Sequence, residues 1–315
     1  MTDVIPLLTS PIPLIHARDA PHTTRAVRAG ELVPVLRGVY APAADWARLA
    51  PWERHLVRVH ALVLLRPDDP ACLESAAALH GLPIFGDPGT VHVIASDDAT
   101  SRLVGGVQTH TTRDAREIGT VGGALLTGLV DTVVDIARVR HPAIALATAD
   151  AALRRDPSLT VEALVAANES RSSTRGRRHA RWALHRASAL PESPLESIDR
   201  AVIEWLGFPE PELQVRIGDD RVDKWWADHA VAGESDGDLK YDGRFGDPLT
   251  ALRERHRRDA RLFRHGARAV PHWGWSEALA ADPLESLLRS AGLRTIRPRE
   301  HAPLVALQRA RARPR

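Results

Sequence analysis

A chain of 315 residues is long enough for two or three domains, and its 44% hydrophobic and 26% charged content are those of a globular protein. Its one cysteine, Cys72, excludes a disulfide framework and a multi-cysteine zinc site, and no apolar run reaches the roughly 18 residues a membrane span needs. The opening stretch lacks the basic n-region of a signal peptide, so the expected compartment is a reducing cytoplasm, with no membrane partner.

The formal net charge of +2 identifies no partner, but its distribution is informative. Residues 192–247 hold fifteen acidic and six basic side chains. They are flanked by RSSTRGRRHARWALHR (171–186), with six Arg and no acid, and by ALRERHRRDARLFRHGAR (251–268), with seven Arg and two acids. An acidic centre between two arginine arms suits a metal site that also holds a polyanion; solvated helix faces in an arginine-rich chain are the alternative. Of the 42 basic residues only Lys224 and Lys240 are lysines, and both lie in the acidic block. A lysine ammonium is a compact point charge that a guanidinium cannot imitate, which points to a chemical task for at least one of them.

In chain order, short helices are expected at Val4–Leu8 and near Leu14–Ala20. In PHTTRAVRAGEL, Thr23 or Thr24 is placed to cap a helix ending at Gly30. Leu32–Tyr40 then reads as a two-stranded wing. Residues 1–45 are thus expected to form a winged helix-turn-helix, with Thr23, Thr24, Arg25 and Arg28 suited to the phosphates and base edges of duplex DNA. A small domain packed only on its neighbour is the alternative.

Residues 46–190 read as a mixed α/β region. WARLAPWERHLVRVHALVLL predicts an amphipathic helix, VHVIA (91–95) and GVQTH (106–110) predict strands, and GLVDTVVDIARV (128–139) predicts a helix. HPAIALATADAALRR and SLTVEALVAA add two helices. Asp131 and Asp135 lie one turn apart, a spacing that suits a metal pair but is also common for acids on helix faces. His80, His92 and His110 have no ligand spacing and read as structural.

From residue 191 the pattern changes. SPLESIDRAVIEWLG predicts a helix with Ser193 as N-cap, Pro194 at N1, Glu196 at N3 and Gly207 closing it. ELQVRI, RVDKWW and AVAGES predict strands, 249–265 a helix, and ARAVPHWGW a last strand. Residues 191–278 therefore read as an α+β domain, and 279–315 as a basic tail, partly disordered after Gly292.

A turn centred on Asp228-His229, with any even-length loop, sets Asp223 directly opposite Glu234. Facing side chains have Cβ atoms about 4.5–5.5 Å apart. Asp236, two residues on, points the same way. Three carboxylates on one face repel one another unless a cation neutralises them, and hard oxygen donors select Mg²⁺ or Mn²⁺. Acids facing solvent on an edge strand are the alternative.

The order SPLES, VD, GESDGDLKY, RHRRDARL and a Trp-rich closing strand resembles the very-short-patch-repair-like branch of the PD-(D/E)XK nucleases over 191–278. Upstream, RAGELVPVLRGVYAP, LESAAALHGLP and TGLVDTVVDIARV resemble actinobacterial AbiEi-type antitoxins or transcriptional regulators. The first resemblance implies a restriction-endonuclease-like fold, with Asp223 and Glu234 as metal-binding acids and the Ser235 carbonyl as a third ligand. Asp236 stands where the superfamily usually has lysine, leaving Lys240 to supply the positive charge. Glu196 matches an acid of the first helix, although Ser193-x-x-Glu196 is also a capping box. Arg257, Arg258 and Arg261 would clamp phosphates, and Trp225 would stack on or shield the site while Trp226 is buried. The expected function is hydrolysis of DNA phosphodiesters with Mg²⁺ or Mn²⁺; the rival is a non-enzymatic, antitoxin-like DNA-binding regulator with a cognate toxin or a second copy as partner.

Overall fold

Two short apolar, Val-rich runs broken by Arg37-Gly38 in LVPVLRGVYAP make a hairpin, β2 (Leu32–Leu36) and β3 (Val39–Pro42), preceded by α1 (Thr23–Arg28). The structure, a computed structural model, describes residues 9–95, 100–237 and 248–312, so the helix expected at Val4–Leu8 lies outside the described residues. The segment expected as a second helix is instead β1 (Ile15–His16), whose residues pair with Tyr40 and Val39 in a sheet of order β1-β3-β2. Pairing with β3 overrides the weak helical pattern there. Neither Thr23 nor Thr24 caps α1. Both lie within it, after His22, which has a left-handed φ of 63° and no capping hydrogen bond.

The chain is mixed α+β and forms two units: one from residues up to 139 with 162–181, the other from 140–161 and 182 onward. In the first, α2 (Ala43–Arg48) and α3 (Pro51–Leu65) replace the single amphipathic helix expected, broken before Pro51. After α4 (Leu73–Leu79), β4 (Val91–Ala95) pairs in parallel with β6 (Val107–Thr111), which pairs antiparallel with β5 (Arg102–Val104). β7 (Ile118–Val121) and β8 (Ala124–Thr127) form a separate hairpin ahead of α5 (Leu129–Val139). One core runs from Ile12, Val35 and Val39 through Val57, Leu62 and Leu79 to Val91, Val107 and Leu126, so residues 10–45 share it with the segments that follow, across the boundary expected at 45. Asp131 and Asp135 are ion-paired, with Arg171 and with Arg116 (2.9 Å). His80 Nε2 meets the Thr127 carbonyl at 2.8 Å, and His92 Nδ1 meets His110 Nε2 at 2.9 Å. Two helices, α7 (Val161–Ser170) and α8 (Arg177–Leu184), follow the sheets; the second lies in the arginine-rich stretch.

In the second unit, α6 (Pro142–Arg155) packs on α9 (Pro194–Trp205), whose Leu195, Ile198, Val202 and Trp205 are buried at helical spacing. Ser193 Oγ accepts from Glu196 N at 3.2 Å, and Gly207 closes the helix with φ 86°. Strands β9 (Glu212–Ile217), β10 (Asp220–Trp226), β11 (Val231–Ser235) and β12 (His272–Trp273) form one sheet of order β12-β11-β10-β9. It is antiparallel except where β12 joins β11 in parallel. After β11 the described chain resumes with α10 (Pro248–Arg264).

Helices α11 (Trp275–Ala280) and α12 (Asp282–Ser290) follow, and the stretch after Gly292, expected to be partly disordered, carries α13 (His301–Ala312); Leu284, Leu288, Leu304 and Leu307 are buried. The irregular segment between α12 and α13 satisfies the end of α9. Ile296 N and Arg297 N donate to Gly207 O at 2.8 and 3.2 Å, and Glu300 N donates to Trp205 O at 2.7 Å. A Cβ on Gly207 would lie 2.2 Å from the Arg297 carbonyl oxygen. Gly207→Ala should therefore lower stability by more than the roughly 1–3 kcal/mol of a strained left-handed residue alone. A urea-denaturation midpoint equal to wild type would refute that contact.

Among the described residues no helix is long and apolar enough to cross a membrane.

Candidate acidic site on the sheet

The hairpin turn sets the geometry. Trp226 pairs with Val231, Trp225 with Ala232 and Lys224 with Gly233 around a loop of Ala227–Ala230, and the same register one step further sets Asp223 across from Glu234. Glu234 is only 2% exposed. Its Oε2 accepts from Arg258 Nη1 at 2.9 Å, whereas its Oε1 is buried with no hydrogen-bond partner among the described residues. Burial first, and the Asp223 charge second, push the Glu234 carboxyl up to about 7, against the opposing pull of Arg258 and His272. Asp223 is half-buried; its Oδ2 accepts from Ser235 N at 2.8 Å.

A third acid joins through Gln214. Its Nε2 donates to Glu196 Oε2 at 2.8 Å and to Asp223 Oδ1 at 3.3 Å. Gln214 falls opposite Asp223, between the pairs Lys224–Leu213 and Val222–Val215. It has a left-handed φ of 54°, a conformation that strains a non-glycine residue by about 1–3 kcal/mol and that concentrates at functional sites. Glu196 is buried, and burial followed by the charge of Asp223 raises its pKa. Its Oε2 also accepts from Glu192 N at 2.9 Å. Ser193 thus caps the helix as expected, while the Glu196 carboxylate turns to the acidic cluster and not back to Ser193.

Behind this cluster lies a closed polar network. Lys224 Nζ is 2.7 Å from Asp199 Oδ1 and donates to Ser235 Oγ at 2.8 Å; it also sits 5.5 Å from the centre of the Trp273 ring. Asp199 Oδ2 accepts from Ser235 Oγ at 2.6 Å and from Trp273 Nε1 at 2.7 Å. Neither Lys224 nor Asp199 is exposed at all. Burial pushes the Asp199 carboxyl up, and the Lys224 ammonium opposes that shift. Lys224 is therefore a buried counter-charge that ties α9, β10, β11 and β12 together.

The arginines of α10 meet the other acids. Arg258 bonds Glu234 and the Arg221 carbonyl, and Arg261 grips Asp220 with Nε at 2.8 Å and Nη2 at 2.6 Å, holding that carboxyl below its ordinary range. Arg257 is exposed. Asp236 lies beyond the end of β11. Its Oδ2 faces His272 Nδ1 at 2.9 Å and Arg255 at 3.4 Å, and His272 Nε2 faces Asp259 at 3.1 Å. Asp223 and Glu234 are thus joined by Glu196, whereas Asp236 pairs with His272. Lys240 lies outside the described residues. Trp226 is buried, its Nε1 donating to Pro209 O at 2.8 Å, and Trp225 packs with Val222, Ala232 and Leu262. Thr24, Arg25 and Arg28 are exposed on α1. Gln214 and His272 carried no signal in the sequence; Asp199, three residues after Glu196 on one helix face, did.

Among the described residues no group of three or more His, Cys, Asp and Glu side chains is arranged to hold a metal ion. The facing pair Asp223–Glu234 does offer hard oxygen donors, one of them Glu234 Oε1, which has no partner among the described residues.

No family model and no solved structure matches the chain. Two curated proteins do: "Uncharacterized protein MT2308" of Mycobacterium tuberculosis strain CDC 1551 / Oshkosh and "Uncharacterized protein Rv2248" of strain ATCC 25618 / H37Rv. Each is 37% identical over 217 residues, covering 66% of this chain and 74% of the relative. The chain belongs to the family of these two mycobacterial proteins.

Proposed function

We propose that the second unit is a nucleic-acid phosphodiesterase that works with Mg²⁺ or Mn²⁺, built on a fold of the PD-(D/E)XK kind. One observation carries the reading: Glu234, whose Oε1 has no hydrogen-bond partner among the described residues, faces Asp223 and is raised by burial and then by the Asp223 charge. Two acids held together against their repulsion fit a divalent cation. Asp223, Glu234 and the Ser235 carbonyl would hold it, and when bound it supplies a polarised water and positive charge for the phosphate.

The remaining roles belong to the chain. Glu196, held by Gln214 and raised by burial, is suited to accept the proton released on attack. Arg258 and Arg261 of α10, which hold Glu234 and Asp220, would exchange those carboxylates for phosphate oxygens, and Arg257, exposed on the same helix, would bind phosphate directly. Lys240, outside the described residues, would supply a point charge for the phosphate in this reading. Thr24, Arg25 and Arg28, with the β2–β3 hairpin as a wing, would bring the protein to duplex DNA.

A second reading is supported by the Arg258–Glu234 contact at 2.9 Å, which already neutralises part of the site, and by Asp236 in place of a lysine. In that reading the chain is a DNA-binding regulator without hydrolysis, of the AbiEi-like kind, with a cognate toxin or a second copy as partner. A plasmid-nicking assay separates the two. Nicking is expected with Mn²⁺ or Mg²⁺ and none with EDTA. Duplex binding without cleavage in any metal would favour the regulator.

A further inference from the structure

The loop between α7 and α8 reads RSSTRGR, and its main chain is unusually well held for so exposed a segment. Arg138 of α5 donates from Nη2 to the Ser173 carbonyl and from Nε to the Arg175 carbonyl at 3.1 Å. Asp114 Oδ1 accepts from Ser172 N at 2.8 Å, and the Ser172 hydroxyl also bonds this carboxylate. Gly176 lies where a Cβ would be 2.2 Å from the Arg138 carbonyl oxygen. Arg171 is buried on Asp131 and donates to Ala115 O at 3.0 Å, and Arg177 donates to the Arg171 carbonyl.

We propose that this loop is a docking surface for the phosphodiester backbone of a nucleic acid. Its carbonyls at Arg171, Ser173 and Arg175 are occupied by guanidinium groups, which leaves an outer surface rich in donors. Thr174, Arg175 and Arg178 are exposed. Ser173 Oγ accepts from Arg175 N at 3.3 Å, and among the described residues its hydroxyl hydrogen has no acceptor. Arg138, Arg171 and Arg177 lie close enough for the last two to lower the pKa of the first, after burial. By contrast, Arg181 is already held by Glu169, at 2.7 Å from its Nε.

The chemistry of the surface selects the partner. Phosphate oxygens take arginine and hydroxyl donors together. A protein partner would need an apolar centre to the interface, and a membrane surface would need apolar side chains to insert. Residues 172–179 contain neither an apolar side chain nor a carboxylate. The inference rests on the nucleic-acid part of the proposed function and not on hydrolysis.

The test is fluorescence anisotropy of the full chain on a labelled duplex in EDTA, over a range of salt. Arg175→Ala/Arg178→Ala should weaken binding about tenfold or more and make the plot of log affinity against log salt shallower by about two units. Arg48→Ala/Arg102→Ala removes the same charge from exposed positions of the same unit, and should cost no more than about threefold, with the slope unchanged. Equal losses in the two doubles, or wild-type binding by the loop variant, would overturn the site. So would displacement of the duplex by polyglutamate at equal charge. A wild-type chain that binds no duplex overturns the site and the nucleic-acid reading together. Loop-dependent binding without nicking supports the site and removes only hydrolysis.

Discussion

Asp199→Ala is expected to lower the unfolding free energy by about 3–5 kcal/mol, since it leaves the Lys224 ammonium buried and unpaired. Ser235 Oγ and Trp273 Nε1 lose their acceptor in the same step. Lys224→Ala should be similarly severe, stranding the carboxylate instead. Asp199→Leu/Lys224→Met should recover most of the loss, because removing both charges also removes their desolvation. Urea denaturation at neutral pH, with an unchanged slope, reads these values. A single-variant loss below about 1 kcal/mol would show that the pair is hydrated and not a buried tie.

At the acidic site, divalent-cation affinity should rise with pH until about 7 and then level off. Glu234 ordinarily titrates near 4.5 and is raised to about 7 in the fold. In the metal-free protein its contribution to stability is complete below 4.5 and is lost as pH rises through 7, on the order of 3 kcal/mol. A cation needs the deprotonated form, so each pH unit below 7 should weaken binding about tenfold. Asp223→Ala removes the neighbouring charge that helps to raise Glu234. In EDTA at pH 8 the variant should therefore be no less stable than wild type. It should lose the stabilisation that Mn²⁺ gives by mass action, about 2.7 kcal/mol at a hundredfold excess over the dissociation constant, and all nicking with it. Equal Mn²⁺ affinity of the two proteins by calorimetry would end the metal assignment and favour the regulator.

The facing of Asp223 and Glu234 was legible because β-hairpin register follows from the turn, and a strongly patterned strand admits little slippage. The α9 helix was legible through its caps: Ser193, Pro194 and Gly207 all fall where expected. Other features lacked local signals. Gln214 joins Glu196 to Asp223 through a left-handed backbone that no neighbouring residue announces. Asp236 was read by alternation, but the strand ends at Ser235 and the acid turns to His272. The C-terminal helices were obscured by prolines and charge, since their order comes from packing on α9 and from the carbonyls of Trp205 and Gly207. Gly105-Gly106 and Gly122-Gly123 close hairpins with a common turn dipeptide, but of the strands they join only β6 stood out, β5, β7 and β8 being too short.

The scarcity of lysine gives the fold a built-in reporter. Of the two lysine side chains in the sequence, Lys224 is wholly enclosed at the centre of the second unit. An amine-directed reagent can reach it only when β10 separates from α9, so acylation of Lys224 measures the population of that opened form. Followed by mass spectrometry, it would time the opening of this sheet without an engineered probe. It would also tell whether a bound cation or nucleic acid closes the sheet, since either would slow the modification in proportion to the stability it adds.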